Sequence, residues 1–222
     1  MLKSIARHGG LLALFALVTT GLISATYWGT ADTIATQQNN KLVASLNAVL
    51  PASLHDNDVQ HDCVIVSDAA LLGSDNNQRV FRARLNGNPS AVAIETIAPD
   101  GYSGNIALLV GVTGNGEVTG VRVQDHKETP GLGDKIDLRI SDWILDFTGM
   151  QLTDDNQDSW AVRKDGGQFD QFTGATITPR AVVGATKRAV QYYQQHAERL
   201  FRMDNQCAEQ ATTPSETQES AQ

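Results

Sequence analysis

Asp170-Gln171-Phe172-Thr173-Gly174-Ala175-Thr176-Ile177-Thr178-Pro179 is a small-residue turn, rich in hydroxyls, that runs into a helix start, and its reading decides the fold of the second half of this 222-residue chain. Thr178 suits an N-cap and Pro179 the first helical position, where a missing N–H removes no hydrogen bond. A helix opening there aims free N–H groups and its positive dipole end at Thr173–Thr176, while Gly174 and Ala175 leave the backbone open to a ligand. An ordinary capped loop has the same local chemistry, so the run alone leaves both readings open.

Downstream, Val182, Ala185, Ala189, Tyr193, Ala197 and Leu200 recur at three- and four-residue steps, giving about 24 helical residues with one face on a core. Upstream lie five strand-like runs, Cys63–Ser67, Val80–Leu85, Ala91–Ile97, Ile106–Val112 and Val118–Val123. Gly114-Asn115-Gly116 joins the last two as a hairpin, and the residues after it are strand formers, which excludes a dinucleotide fingerprint. Ile136, Leu138, Ile140, Trp143, Ile144 and Phe147 suggest a short helix and an aromatic-lined edge. Strands followed by a terminal helix, without regular alternation, predict an α+β domain with a mostly antiparallel sheet and a long C-terminal helix.

Asp170-x-x-Thr173-Gly174-Ala175-Thr176 resembles the pattern at which a flavin transferase joins FMN to protein through a phosphoester. Asp100-Gly101-Tyr102-Ser103-Gly104 and His126-Lys127-Glu128-Thr129-Pro130-Gly131-Leu132-Gly133-Asp134 resemble, in order, the other two signatures of the same FMN-binding domain family. The resemblance implies one covalent FMN on Thr176, with Thr173 as a recognition element and Gly174 and Ala175 keeping the loop open. It implies ring contacts from Thr129, Gly131, Leu132 and Gly133, and from Tyr102 and Ser103. Lys135 or Arg180 could neutralise the phosphate. Within the family the chain looks most like the G subunit of Rnf-type (Rsx) ion-translocating electron transport complexes. Such a protein is an electron-transfer subunit of a translocase, working with other membrane subunits and matured by the flavin transferase. The C subunit of the sodium-translocating NADH:quinone reductase shares the domain, and a cofactor-free periplasmic binding or assembly module is the reading from another class. No catalytic residue is expected; His126 and Glu128 could be taken for an acid–base pair, but no substrate pocket is evident in the sequence.

Gly9–Ala31 carries no charge and is long enough to cross a bilayer core of roughly 30 Å. A cleaved signal peptide with an Ile23-Ser24-Ala25 site is the alternative, although its apolar core would be unusually long. Lys3 and Arg7 before the span and Asp32 after it leave the N-terminus cytoplasmic and the bulk of the chain outside the inner membrane, in the periplasm. The expected organisation is a cytoplasmic N-terminus over 1–8, an anchor over 9–31, a linker with an amphipathic helix (Leu42, Val43, Leu46, Val49, Leu50) over 32–61, the FMN-binding domain over 62–203 and a disordered tail over 204–222. The formal net charge of −8, or −10 beyond the span, speaks against a nucleic-acid partner. Two cysteines cannot hold an iron–sulfur cluster, no histidine sits at zinc-site spacing to them, and no metal site is expected. Cys63 and Cys207 either form a disulfide in an oxidising compartment or stand as unrelated thiols.

Overall fold

The computed structural model describes residues 2–207, with side chains from Arg7 onward. The expected tail therefore lies outside the described residues from position 208. The chain falls into two compact units, one up to Leu42 and one from Val43 onward.

The described residues of the first unit are all helical and belong to helix α1, Leu2–Val49. Leu11, Leu12, Phe15, Leu17, Leu22, Ile23, Tyr27 and Trp28 are all exposed, so this stretch is apolar around its whole circumference. A helix of that kind buries itself in a protein core or in lipid, and among the described residues this is the one helix long and apolar enough to cross a membrane. The expected amphipathic helix forms without a break from the span, as the last turns of α1, which stops ahead of Pro51 because proline cannot continue the hydrogen-bond ladder.

In the second unit β1 (Cys63–Asp68), β2 (Ser74–Leu85), β3 (Asn88–Ala98), β4 (Ile106–Thr113) and β5 (Val118–Asp125) form a fully antiparallel meander in the order 1-2-3-4-5. Asn86 and Gly87, both at positive φ, make the tight turn between β2 and β3. Helix α2 (Ile177–Arg202) covers one face of the sheet. Its Val182, Ala185, Ala189, Tyr193 and Leu200 share a core with Val80, Val92, Ile94, Leu108, Val110 and Val121. The architecture is α+β.

The opposite face is also buried, with Phe81, Ala83, Ala91, Ala93 and Leu109 fully covered. One row of cross-strand partners runs Cys63, Phe81, Ala93, Gly111, Gly120. From Ala93 onward this row carries nothing larger than a methyl group, and the end of α1 uses the space. The Val49 carbonyl accepts the Thr119 hydroxyl, and a Cβ on Gly111 would collide with it and stand 3.0 Å from Val49 Cβ. Cys63 and Cys207 form a disulfide with Cα atoms 5.3 Å apart, tying the first strand to the residues after α2.

Candidate functional site

Three loops meet at the N-terminus of α2. They enclose a cavity of about 290 Å³ lined by Tyr102, Glu128, Thr129, Leu132, Gly133 and the run from Gly174 to Thr178. Of the ten candidate residues, Tyr102, Thr129, Leu132, Gly133, Gly174, Ala175 and Thr176 line this space. Thr173 and Gly131 lie on the same loops but outside the lining, and Ser103 joins the site through its backbone N–H. Gly174 and Gly131 hold φ of +81° and +78°, a conformation that a side chain disfavours, which is why glycine serves at both bends. The Thr129 carbonyl accepts the N–H groups of Leu132 and Gly133, each at 3.1 Å, closing the turn.

The capping expectation for Thr178 needs correction. α2 begins at Ile177, so Thr176 holds the N-cap position and Pro179 the third helical one, where it still removes only an orphan donor. Thr178 is fully buried, and its hydroxyl donates to Glu128 Oε2 at 2.5 Å instead of turning back to the helix. Thr176 has helical backbone angles, φ −76° and ψ −26°, and its side chain makes no capping bond. Capping normally needs extended backbone at that residue. The Thr176 hydroxyl therefore stands beside the unsatisfied N–H groups of Ile177 and Thr178, uncommitted to either.

Sequence reasoning weighed Glu128 only as half of an acid–base pair and missed its part in holding the site together. Glu128 is 4% exposed, accepts the Ser103 N–H at 3.0 Å through Oε1 and takes Thr178 on Oε2. A buried carboxylate requires such donors. Its motif position marked it, but nothing in the sequence says that its partner sits 50 residues away. His126 Nδ1 accepts the Glu128 N–H at 3.2 Å, and Nε2 faces Asp137 at 4.0 Å. The guanidinium of Arg139 holds the Asp137 carboxyl below the usual carboxylate range, against the opposing effect of burial.

Beneath the hydroxyl loop lies a packed aromatic group. Phe172 meets Trp143 edge-on at 5.2 Å, Trp143 meets Phe147 at 5.6 Å, and Phe147 lies 4.3 Å from Phe169. Trp143 Nε1 donates to the Asp170 carbonyl at 2.8 Å and fixes the loop's first residue. The expected short helix there consists of two 3₁₀ turns, Gly133–Ile136 and Asp142–Phe147. Of the two cations considered for a phosphate, Arg180 is paired with Asp165 at 2.6 and 2.8 Å, and Lys135 Nζ lies 6.0 Å from the Phe172 ring centre.

The donor set fits a phosphorylated planar cofactor. An unbonded hydroxyl and orphan N–H groups meet one end of the cavity, while Tyr102, Leu132 and Ile177 offer exposed apolar surface at its rim. Comparison with known proteins gives the same assignment. The FMN-binding domain family matches residues 101–191, and the RnfG N-terminal region matches residues 1–49. The G subunit of the ion-translocating oxidoreductase complex of Pseudoalteromonas atlantica is 56% identical over 95% of this chain and 98% of its own length. The protein of that name from Vibrio cholerae is 56% identical over 93% of this chain and 99% of its own, and that from Aliivibrio fischeri is 51% identical over the same shares. With more than half of its residues identical across almost all of both chains, the protein belongs to the family of G subunits of the ion-translocating oxidoreductase complex.

Proposed function

We propose that this chain is a membrane-anchored electron carrier, a subunit of an ion-translocating electron transport complex, with FMN joined to Thr176 through a phosphoester. The observation that carries the reading is the free Thr176 hydroxyl at the head of α2, inside a cavity bounded by three family motifs. Bound there, the flavin would supply one- and two-electron redox chemistry. The chain's own part is attachment, orientation and exclusion of water. Thr176 Oγ1 would give up its proton and displace the leaving group from phosphorus of an activated flavin phosphate brought by the transferase, becoming an ester oxygen, and the N–H groups of Ile177 and Thr178 would stabilise the remaining phosphate charge by about 0.3–1 kcal/mol, more where water is excluded. Leu132, Ile177 and Tyr102 provide apolar contact for a ring, and Thr129 a polar one. Because the cofactor is tethered, the cavity can stay open toward a partner, which suits transfer between subunits.

A flavin transferase would install the group, and other membrane subunits of the complex would be the redox partners. In this reading residues 9–31 anchor the chain in the inner membrane with Lys3 and Arg7 on the cytoplasmic side, and the flavin domain is periplasmic. The Cys63–Cys207 disulfide supports an oxidising compartment for that domain. Absorption spectra of purified protein before and after denaturation, with peptide mass spectrometry, test the proposal. Wild type should keep its yellow colour through denaturation, with an FMN-sized increment on the peptide carrying Thr176. Thr176→Ala should be folded and colourless. Flavin that survives denaturation in Thr176→Ala would place the attachment elsewhere.

A further inference from the structure

Two hydroxyls, those of Thr176 and Thr178, compete for one role at the head of α2. Judged by local chemistry alone, Thr178 caps and Pro179 opens the helix, which leaves Thr176 in the preceding loop. The folded chain does otherwise, and the difference is the buried carboxylate of Glu128. With Thr178 Oγ1 held on Glu128 Oε2, the helix extends back to Ile177, and Arg180 N–H donates to the Thr176 carbonyl at 3.4 Å. Gly133 packs against this bond: a Cβ there would lie 2.8 Å from both Glu128 Oε2 and Thr178 Oγ1.

We infer that Glu128 is a positioning residue for the attachment site: by sequestering the Thr178 hydroxyl it sets where α2 begins and leaves the Thr176 hydroxyl uncommitted beside the helix N–H groups. The inference rests on the proposed attachment of FMN to Thr176. Glu128 itself touches no reacting atom. It acts through Thr178, and removing its claim on that hydroxyl returns the helix start to the register that local capping prefers.

The test is expression of the full chain with and without a flavin transferase, reading the flavin-modified fraction by intact mass in the first case and the backbone chemical shifts of Ile177 and Thr178 in the second, helical where α2 starts at Ile177 and extended where Thr178 caps. Losing a hydrogen bond to a buried carboxylate disfavours the extended register about tenfold or more. Glu128→Ala should therefore lower the modified fraction about tenfold at limiting transferase and move the backbone chemical shifts of Ile177 and Thr178 from helical to extended values. The double variant Glu128→Ala with Thr178→Val should recover both, because the competing cap is gone. A general structural role for Glu128 predicts no such recovery. Glu128→Gln, whose amide can still engage Thr178, should stay near wild type, whereas Glu128→Asp, one methylene short, should behave like Glu128→Ala. If Glu128→Ala gives no folded protein, the Gln and Asp pair decides. Equal modification in those two, or no recovery in the double variant, overturns the inference. Wild type without flavin on Thr176 would overturn the attachment itself, while the backbone chemical shifts would still report on the register.

Discussion

The two ends of α2 are treated in opposite ways. At its C-terminal end, Arg82, 2% exposed, donates to the Leu200 and Met203 carbonyls at 3.1 and 2.6 Å while pairing with Asp62. Asn205 Oδ1 accepts the N–H groups of both Cys63 and Cys207, Gln206 N–H reaches the Cys63 carbonyl, and the disulfide closes the arrangement. At its N-terminal end the buried tie to the domain is the bond from Thr178 to Glu128, the Arg180–Asp165 pair lies at the surface, and Thr176 is uncapped. Helix ends ordinarily find partners for their orphan groups. The end that has them is committed to the fold, and the end that lacks them is, on the proposed function, the one kept for a ligand.

The contrast is broken most strongly at the committed end. Arg82→Met strips Asp62 and two carbonyls of a buried cation and should cost about 3–5 kcal/mol in urea unfolding, with the flavin content of the folded fraction unchanged. Replacing both Cys63 and Cys207 by serine should cost about 2–4 kcal/mol, read as a lower denaturant midpoint that reduced wild type reproduces. At the open end, Thr178→Val leaves a buried carboxylate oxygen without its donor and should cost about 1–3 kcal/mol while Thr176 remains modified.

Arg139→Ala sharpens the comparison from outside both ends. The Asp137 carboxyl is depressed in the folded state, so its contribution is present above the unfolded carboxylate range and is lost as pH falls through its folded value. Without Arg139 that loss should begin at higher pH in acid titrations followed by circular dichroism. The effect should stay below about 0.5 kcal/mol because Arg139 is largely exposed. The smallest stability change belongs to Leu132→Asp, below about 0.5 kcal/mol at a 42%-exposed side chain. There the readout is the visible spectrum or potential of attached flavin, and an unchanged spectrum would place the ring away from Leu132.

The regular part of the domain was legible because its strands are Val- and Ile-rich runs bounded by turn residues, and because one face of α2 repeats at helical spacing. Asn86-Gly87 is a hairpin signal as strong as the Gly114 turn. The first half of β2, Ser74–Gln78, was not legible: Asp75, Asn76 and Asn77 are poor strand formers, and pairing with β1 on one side overrides that preference. The same limit governs the site. Motif order brings Tyr102, Thr129, Leu132 and Thr176 to notice, but α2 starts two residues earlier than local capping indicates, because a carboxylate 50 positions away outcompetes the cap. Trp143 and Phe147 read as part of an aromatic-lined edge and are instead, with Phe169 and Phe172, a buried support, since only the folded loop brings residues so far apart into one cluster.

The strand order of the meander has a consequence in time. As a chain is released N-terminus first, each strand from β2 onward meets a neighbour that has already emerged, so the sheet can assemble by short loop closures. The loop over 170–176, by contrast, emerges after all five strands and directly ahead of α2. Cys207 follows α2 and meets Cys63 across 144 residues. The disulfide can therefore form only after the whole stretch between the two cysteines has emerged, and it serves as a chemical record that the strands and α2 have all been delivered.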